Sequence, residues 1–153
     1  MKKLTVILVL FFLCSSAFAQ DSLAYLQRAW KGIGMQYHRR NEVLVNLSER
    51  IKNIDSIAVL EVKTTTRSMD QFIDADRTLD SLMVAEFIEK NNAVKASFGK
   101  IYAVIDKHPE IKNNEEVKNL IGQLMGTENR CNATKSRYNE LCLNYKRKDL
   151  YLP

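Results

Sequence analysis

The chain is 153 residues long, 46% hydrophobic and 27% charged, with five glycines, two prolines and three cysteines. That length makes one domain, large enough to build a core without disulfide or metal staples. A net charge of +5 favours solubility and singles out no partner.

Met1-Lys2-Lys3 and the eleven-residue apolar run Leu4 to Cys14 precede Ser15-Ser16-Ala17-Phe18-Ala19. A basic head, a short apolar run and small residues at −3 and −1 read as a secretory signal peptide, residues 1–19, cut before Gln20. The rival is an uncleaved membrane anchor, but a span needs roughly 20 apolar residues. Leu4 to Ala19 supplies sixteen, three of them Ser or Cys. A lipoprotein cut at Cys14 would want a small residue where Leu13 stands. Without residues 1–19, 21 basic residues face 18 acidic ones, a net charge of +3. The expected working protein is therefore residues 20–153, exported to the periplasm or cell envelope, and less basic than the whole sequence.

Four helical patterns follow. Leu23, Leu26, Trp30, Ile33, Tyr37, Arg40, Leu44, Leu47, Ile51 and Ile54 keep steps of three and four, the spacing of one helix face. Gly32 and Gly34 weaken the middle by roughly 1 kcal/mol each relative to Ala and make a kink plausible there. Asn53 to Ser56 breaks the pattern, with Asp55 or Ser56 as the next N-cap. The second pattern, Ala58, Val62, Thr65, Met69 and Phe72, is the weakest, because the β-branched Thr64-Thr65-Thr66 is a poor helix former.

The acidic stretch 74–80 is a connection. A third helix is expected from Asp80 or Ser81 through Val84, Phe87, Asn91, Val94, Phe98, Ile101, Ile105 and His108. It ends at Pro109, which pushes its predecessor out of helical geometry. Asn113 and Glu116 are spaced like a capping box for the fourth helix. Its stripe runs Val117, Ile121, Leu124, Glu128, Cys131, Lys135, Tyr138, Cys142 and Tyr145, a 3.5-residue repeat. Acidic Glu115 and Glu116 at its start and Lys146, Arg147 and Lys148 at its end suit the helix dipole. Four long stripes with short links predict an all-α, up-down-up-down antiparallel four-helix bundle with long first and last helices.

Three motifs resemble the LemA family. Thr127-Glu128-Asn129-Arg130, Tyr138-Asn139, Tyr145 and Leu152-Pro153 are similar to its closing helix. His108-Pro109-Glu110-Ile111-Lys112 is similar to its Tyr-Pro-Glu-Leu-Lys turn, and the stretch from Arg39-Arg40 to Asn46-Leu47 to its first helix. Val45 stands where the family has proline and Lys146 where it has a second Asn; the match is poor over about 55–79. The resemblance implies the same bundle and a place in the bacterial cell envelope, but no mechanism.

Catalytic constellations are thin in the sequence. The only histidines are His38 and His108. No Glu-x-x-His pair offers a bundle metal site. There is no Gly-rich phosphate loop and no Gly-x-Ser-x-Gly elbow. No catalytic, cofactor or metal residue is assigned, and no enzyme activity is expected. Cys131 and Cys142 lie ~16 Å apart along one helix, beyond the ~7 Å that a disulfide allows. Buried thiols are expected, with an intermolecular bridge as the alternative. Gly122 and Gly126 lie off the inner stripe, on a solvated face or where another chain approaches.

One polar layer is expected inside. Measured from the shared end of the bundle, Arg40 and Glu128 both stand at a height of ~21 Å and Asn91 at ~25 Å. Arg40 and Glu128 are expected to pair, with Asn91 or Asn129 satisfying leftover groups. The leading functional expectation is a non-enzymatic scaffold or interaction protein of the cell envelope, with an envelope protein or a second copy as partner. The alternative is a peripheral membrane-binding protein, with Lys146, Arg147, Lys148 and Tyr151 on an anionic membrane surface. Three charges at ~1 kcal/mol each would bind weakly. Nucleic acid is not expected, because no basic surface interleaved with aromatics is present.

Overall fold

The computed structural model describes the backbone from Lys2 to Pro153 and the side chains from Ser22 onward. The expected signal peptide falls on residues whose side chains lie outside the described ones. Among the described residues the chain is all-helical, and no helix is long and apolar enough to cross a membrane. Its elements are α1 (Lys2–Glu49), α2 (Ser56–Asp74), α3 (Ser81–Lys107), α4 (Pro109–Lys112) and α5 (Glu115–Asn144). A 3₁₀ turn, Lys148–Leu150, closes the chain.

Side-chain oxygens set the helix starts. Asp55 accepts from Ala58 N at 2.8 Å and Asp80 from Met83 N at 2.7 Å. Each satisfies a backbone donor that has no partner within the helix. The fourth long helix is capped by Asn114, which accepts from Glu116 N at 2.9 Å. This corrects the expectation of Asn113, whose N–H closes the short α4 turn on Pro109 O and whose backbone is helical. Asn114, at φ −67° and ψ 129°, has the extended geometry a cap requires.

The core follows the stripes, with small shifts. In α2 Thr66, not Thr65, is fully buried, and in α3 Ser97 takes the place expected of Phe98. The Thr65 and Ser97 hydroxyls meet at 3.0 Å, so α2 and α3 approach across small polar residues. Trp30 packs edge-on against Phe87 and Tyr138 with ring centroids at 5.0 and 5.5 Å, and Tyr37 meets Phe87 at 4.9 Å. These rings form an aromatic cluster that starts one helical turn from Arg40, at Tyr37, and reaches nearly three turns away, at Trp30. Helical hydrogen bonding continues through Gly32 and Gly34. Gly34 is buried, and a Cβ added there would stand 2.7 Å from Ile73 Cγ2, so this glycine lets α1 approach α2.

The end of α5 is a second correction. The helix stops at Asn144, and Lys146 turns left-handed at φ 56°. Lys146 N bonds Leu143 O at 3.0 Å and Arg147 N bonds Cys142 O at 2.7 Å, the paired closure that satisfies the last carbonyls of a helix. Lys146, Arg147 and Lys148 therefore lie beyond the helix rather than in its last turn. Tyr145, expected on the inner stripe, is exposed and stacks on Tyr25 at 6.4 Å.

Candidate functional site

Arg40 is the largest buried polar side chain, 2% exposed. Its Nη1 donates to Asn91 Oδ1 at 2.7 Å and lies 3.5 Å from Glu128 Oε1. The first is a short hydrogen bond; the second is an ion pair beyond good hydrogen-bond length. Nη2 donates to Asn41 Oδ1 at 3.1 Å, and the guanidinium covers the Tyr37 ring at 4.6 Å. The charge is buried but surrounded by oxygen and an aromatic face, which offsets much of its desolvation.

The network then leaves the core sideways. Asn41 Nδ2 donates to Asp70 Oδ1 at 2.7 Å. His38 Nδ1 lies 2.9 Å from the same Asp70 oxygen, and its Nε2 lies 3.0 Å from Asp74 Oδ1. Only a doubly protonated ring can donate to both carboxylates. Burial pushes the Asp70 carboxyl above its usual range, against the bonds from Asn41 and His38. From Asp74 to Glu128 the chain of contacts crosses three helices, α2, α1 and α5, with α3 joined through Asn91.

The structure thus brings together Arg40, Asn91 and Glu128 of the expected polar layer. Asn129 is exposed and outside it, because one residue along a helix is a turn of about 100°. His38, Asn41 and Asp70 were missed. Their sequence signal was His38 and Asn41 three apart, facing Asp70 and Asp74 four apart, each pair on one helix face.

A second polar site holds the end of the chain. Asn139 Nδ2 donates to Leu152 O at 2.6 Å, and Leu152 N donates to Asn139 Oδ1 at 3.0 Å. Lys135 Nζ donates to Pro153 O at 2.7 Å. Leu150 and Leu152 are buried, and the Cys142 thiol faces Leu150 O at 3.8 Å. Of the residues expected on a membrane surface, Lys146, Lys148 and Tyr151 are exposed, while Arg147 pairs with Asp149 at 2.9 Å. The two leucines that a bilayer contact would insert point into the core instead.

Cys131 and Cys142 are free and buried. Burial raises both thiols, Cys131 to about 11. The buried Tyr138 hydroxyl, pushed up by burial, lies against the Cys142 thiol without a partner of good hydrogen-bond geometry. No group of three or more His, Cys, Asp or Glu among the described residues is placed to hold a metal ion. A cavity of about 230 Å³ lies between α1 and the 75–80 link, with Trp30, Leu79 and Met83 in its wall and Arg28 and Lys31 beside it. A Cβ added at Gly122 would meet nothing within 4 Å among the described residues.

The family model that matches this sequence is LemA, over residues 29–152. The chain belongs to the LemA family. A comparison with the curated proteins returns no match. Within the LemA motifs quoted above, Arg40 and Glu128 face each other, and Asn139 of the Tyr-Asn pair brackets Leu152 of the Leu-Pro pair. In this LemA protein those motif residues hold parts of the helical fold to one another.

Proposed function

We propose that residues 20–153 form an up-down-up-down antiparallel four-helix bundle, exported to the bacterial cell envelope, that works there as a non-enzymatic scaffold or interaction protein. The order of the contacts supports the bundle. Trp30, Arg40 and Arg50 of α1 and its end meet Tyr138, Glu128 and Glu116 of α5, ascending along one as they descend along the other. Glu61, Thr65 and Phe72 of α2 meet Lys100, Ser97 and Phe87 of α3 in the same opposed sense. LemA membership supports the class of protein without naming its task.

The observation that carries the interaction reading is a row of unpartnered apolar side chains. Ile54, Ile57 and Leu60 follow one another at three-residue steps where α2 begins, with Ile57 78% and Leu60 65% exposed. Ile54 stands in the turn before α2 and Ile57 and Leu60 on its first turns, and exposed aliphatics this close together form the kind of apolar patch that marks a contact surface. The test is a pull-down from the envelope fraction with the mature protein and with Ile57→Glu/Leu60→Glu. A partner held by the first and lost by the second supports the reading; identical capture by both overturns this surface. Intact-mass measurement of the native protein checks export: an amino terminus at or near Gln20 is expected. A species keeping Met1 and extracting only with detergent would overturn it.

A further inference from the structure

Three of the bundle's seams are helix against helix: α1 with α5, α2 with α3, and α1 with α2. The fourth is different. The α3 and α5 backbones stay apart, and the 3₁₀ turn after α5 comes close to both. Leu150 and Leu152 fill that seam, and Asn139 holds the Leu152 main chain through both its N–H and its C=O. An amide that grips main-chain groups holds a segment by its extended shape and is indifferent to whether a covalent link leads back to α5.

The link itself is strained. Lys146 sits at φ 56°, a left-handed conformation that costs any residue with a Cβ and that glycine adopts freely. If residues 145–148 instead continued α5, that strain would vanish and the segment would project away from its own seam. Leu143 and Tyr145, exposed beside the hinge, would supply apolar surface where two such extended helices cross.

We propose that residues 149–153 exchange between two copies of this chain, each copy's Leu150 and Leu152 filling the α3–α5 seam of the other. The occupant is a second copy because this segment is the one the seam is seen to fit, and identical chains offer identical seams. Exchange of an element across a hinge is a low-cost route to a symmetric dimer. The tail's own contacts are the same in both forms, so the balance is set by the hinge and by protein concentration. This pairing goes beyond the envelope-scaffold reading and is read on pure protein, so either can fail without the other.

The experiment is size-exclusion chromatography with light scattering on the mature protein after incubation over a wide range of concentration. A slowly exchanging dimer beside the monomer is expected. Lys146→Gly relieves the closed hinge by about fivefold or more, and with two hinges per dimer lowers the association constant by about 25-fold or more. Lys146→Val, β-branched and worse in the left-handed region, shifts the balance towards dimer. Removing residues 150–153 abolishes the dimer. Monomer alone at every concentration for both the parent and Lys146→Val overturns the exchange. So does a dimer indifferent to Lys146→Gly, or one that survives the truncation.

Discussion

Arg40 gives its shortest hydrogen bond to a neutral partner, Asn91 at 2.7 Å, while the carboxylate of Glu128 stands further off at 3.5 Å. Glu128 is also 29% exposed on its side chain, so water screens it in part. The amides of Asn91 and Asn41, more than the ion pair, solvate this buried charge.

Arg40→Leu is therefore expected to cost ~3–5 kcal/mol, since it strands oxygens of Asn91, Asn41 and Glu128 in or beside the core. Glu128→Gln is expected to cost under ~1 kcal/mol. Arg40→Leu with Glu128→Leu recovers only part of the loss, because both asparagines remain unpaired. Urea unfolding of the four proteins checks this; full recovery in the double variant would show that Glu128 is the partner that matters.

Asn139→Ala removes two hydrogen bonds from the buried main chain of Leu152 and should cost ~1–3 kcal/mol. Amide exchange localises the effect. The Leu152 N–H is expected to lose its protection while the amides in the middle of α1 keep theirs. Unchanged protection at Leu152 would mean that packing of Leu150 and Leu152 suffices to hold the segment.

The two described cysteines and the buried phenols make the fold sensitive to alkali. Burial moves Cys131 from the usual 9.0 to about 11 and Tyr37 from 10.0 to about 12. Between about pH 9 and 12 the unfolded chain releases these protons and the folded chain keeps them. Unfolding then releases protons, so stability is intact below about pH 9 and falls as pH rises through the window. Thiol labelling should be slow at pH 8 and follow global unfolding; fast labelling of both cysteines in the folded protein would refute their burial.

Gly34→Ala sets two effects against each other. Alanine gains roughly 1 kcal/mol of helix propensity, but its methyl meets the β-branched Ile73, which has little freedom to move away. A net loss of ~1–3 kcal/mol is expected. Gly122→Ala, which meets nothing within 4 Å, should stabilise by up to ~1 kcal/mol. Thermal midpoints decide, and a stabilised Gly34→Ala would mean that α1 and α2 separate at little cost.

The heights of Arg40, Asn91 and Glu128 were legible in the sequence because helix rise is constant, so counting from a shared end places residues level. Rotation is less forgiving: Asn129 is level with the layer yet turned to water. The sideways branch through His38, Asn41 and Asp70 was hidden because a stripe describes what points inward, not what bridges two neighbouring helices. The hooked end was hidden for another reason. A left-handed Lys146 breaks the preference for glycine at such a stop, so the basic run reads as more helix. The alternation of Leu150 and Leu152 around Tyr151 was the signal of an extended segment with one face buried.

The Thr65–Ser97 contact joins residues 32 apart in the chain, whereas Trp30 and Tyr138 are brought together from near opposite ends of the described side chains. Closing the longer loop costs more chain entropy, though only logarithmically in its length. The α2–α3 hairpin can therefore form while α5 still searches, and the α1–α5 seam closes last. Substitutions at Ser97 should slow refolding, and substitutions at Tyr138 should chiefly speed unfolding. A chevron in which Tyr138→Leu slows refolding as much as Ser97→Ala would place both seams in the same early nucleus.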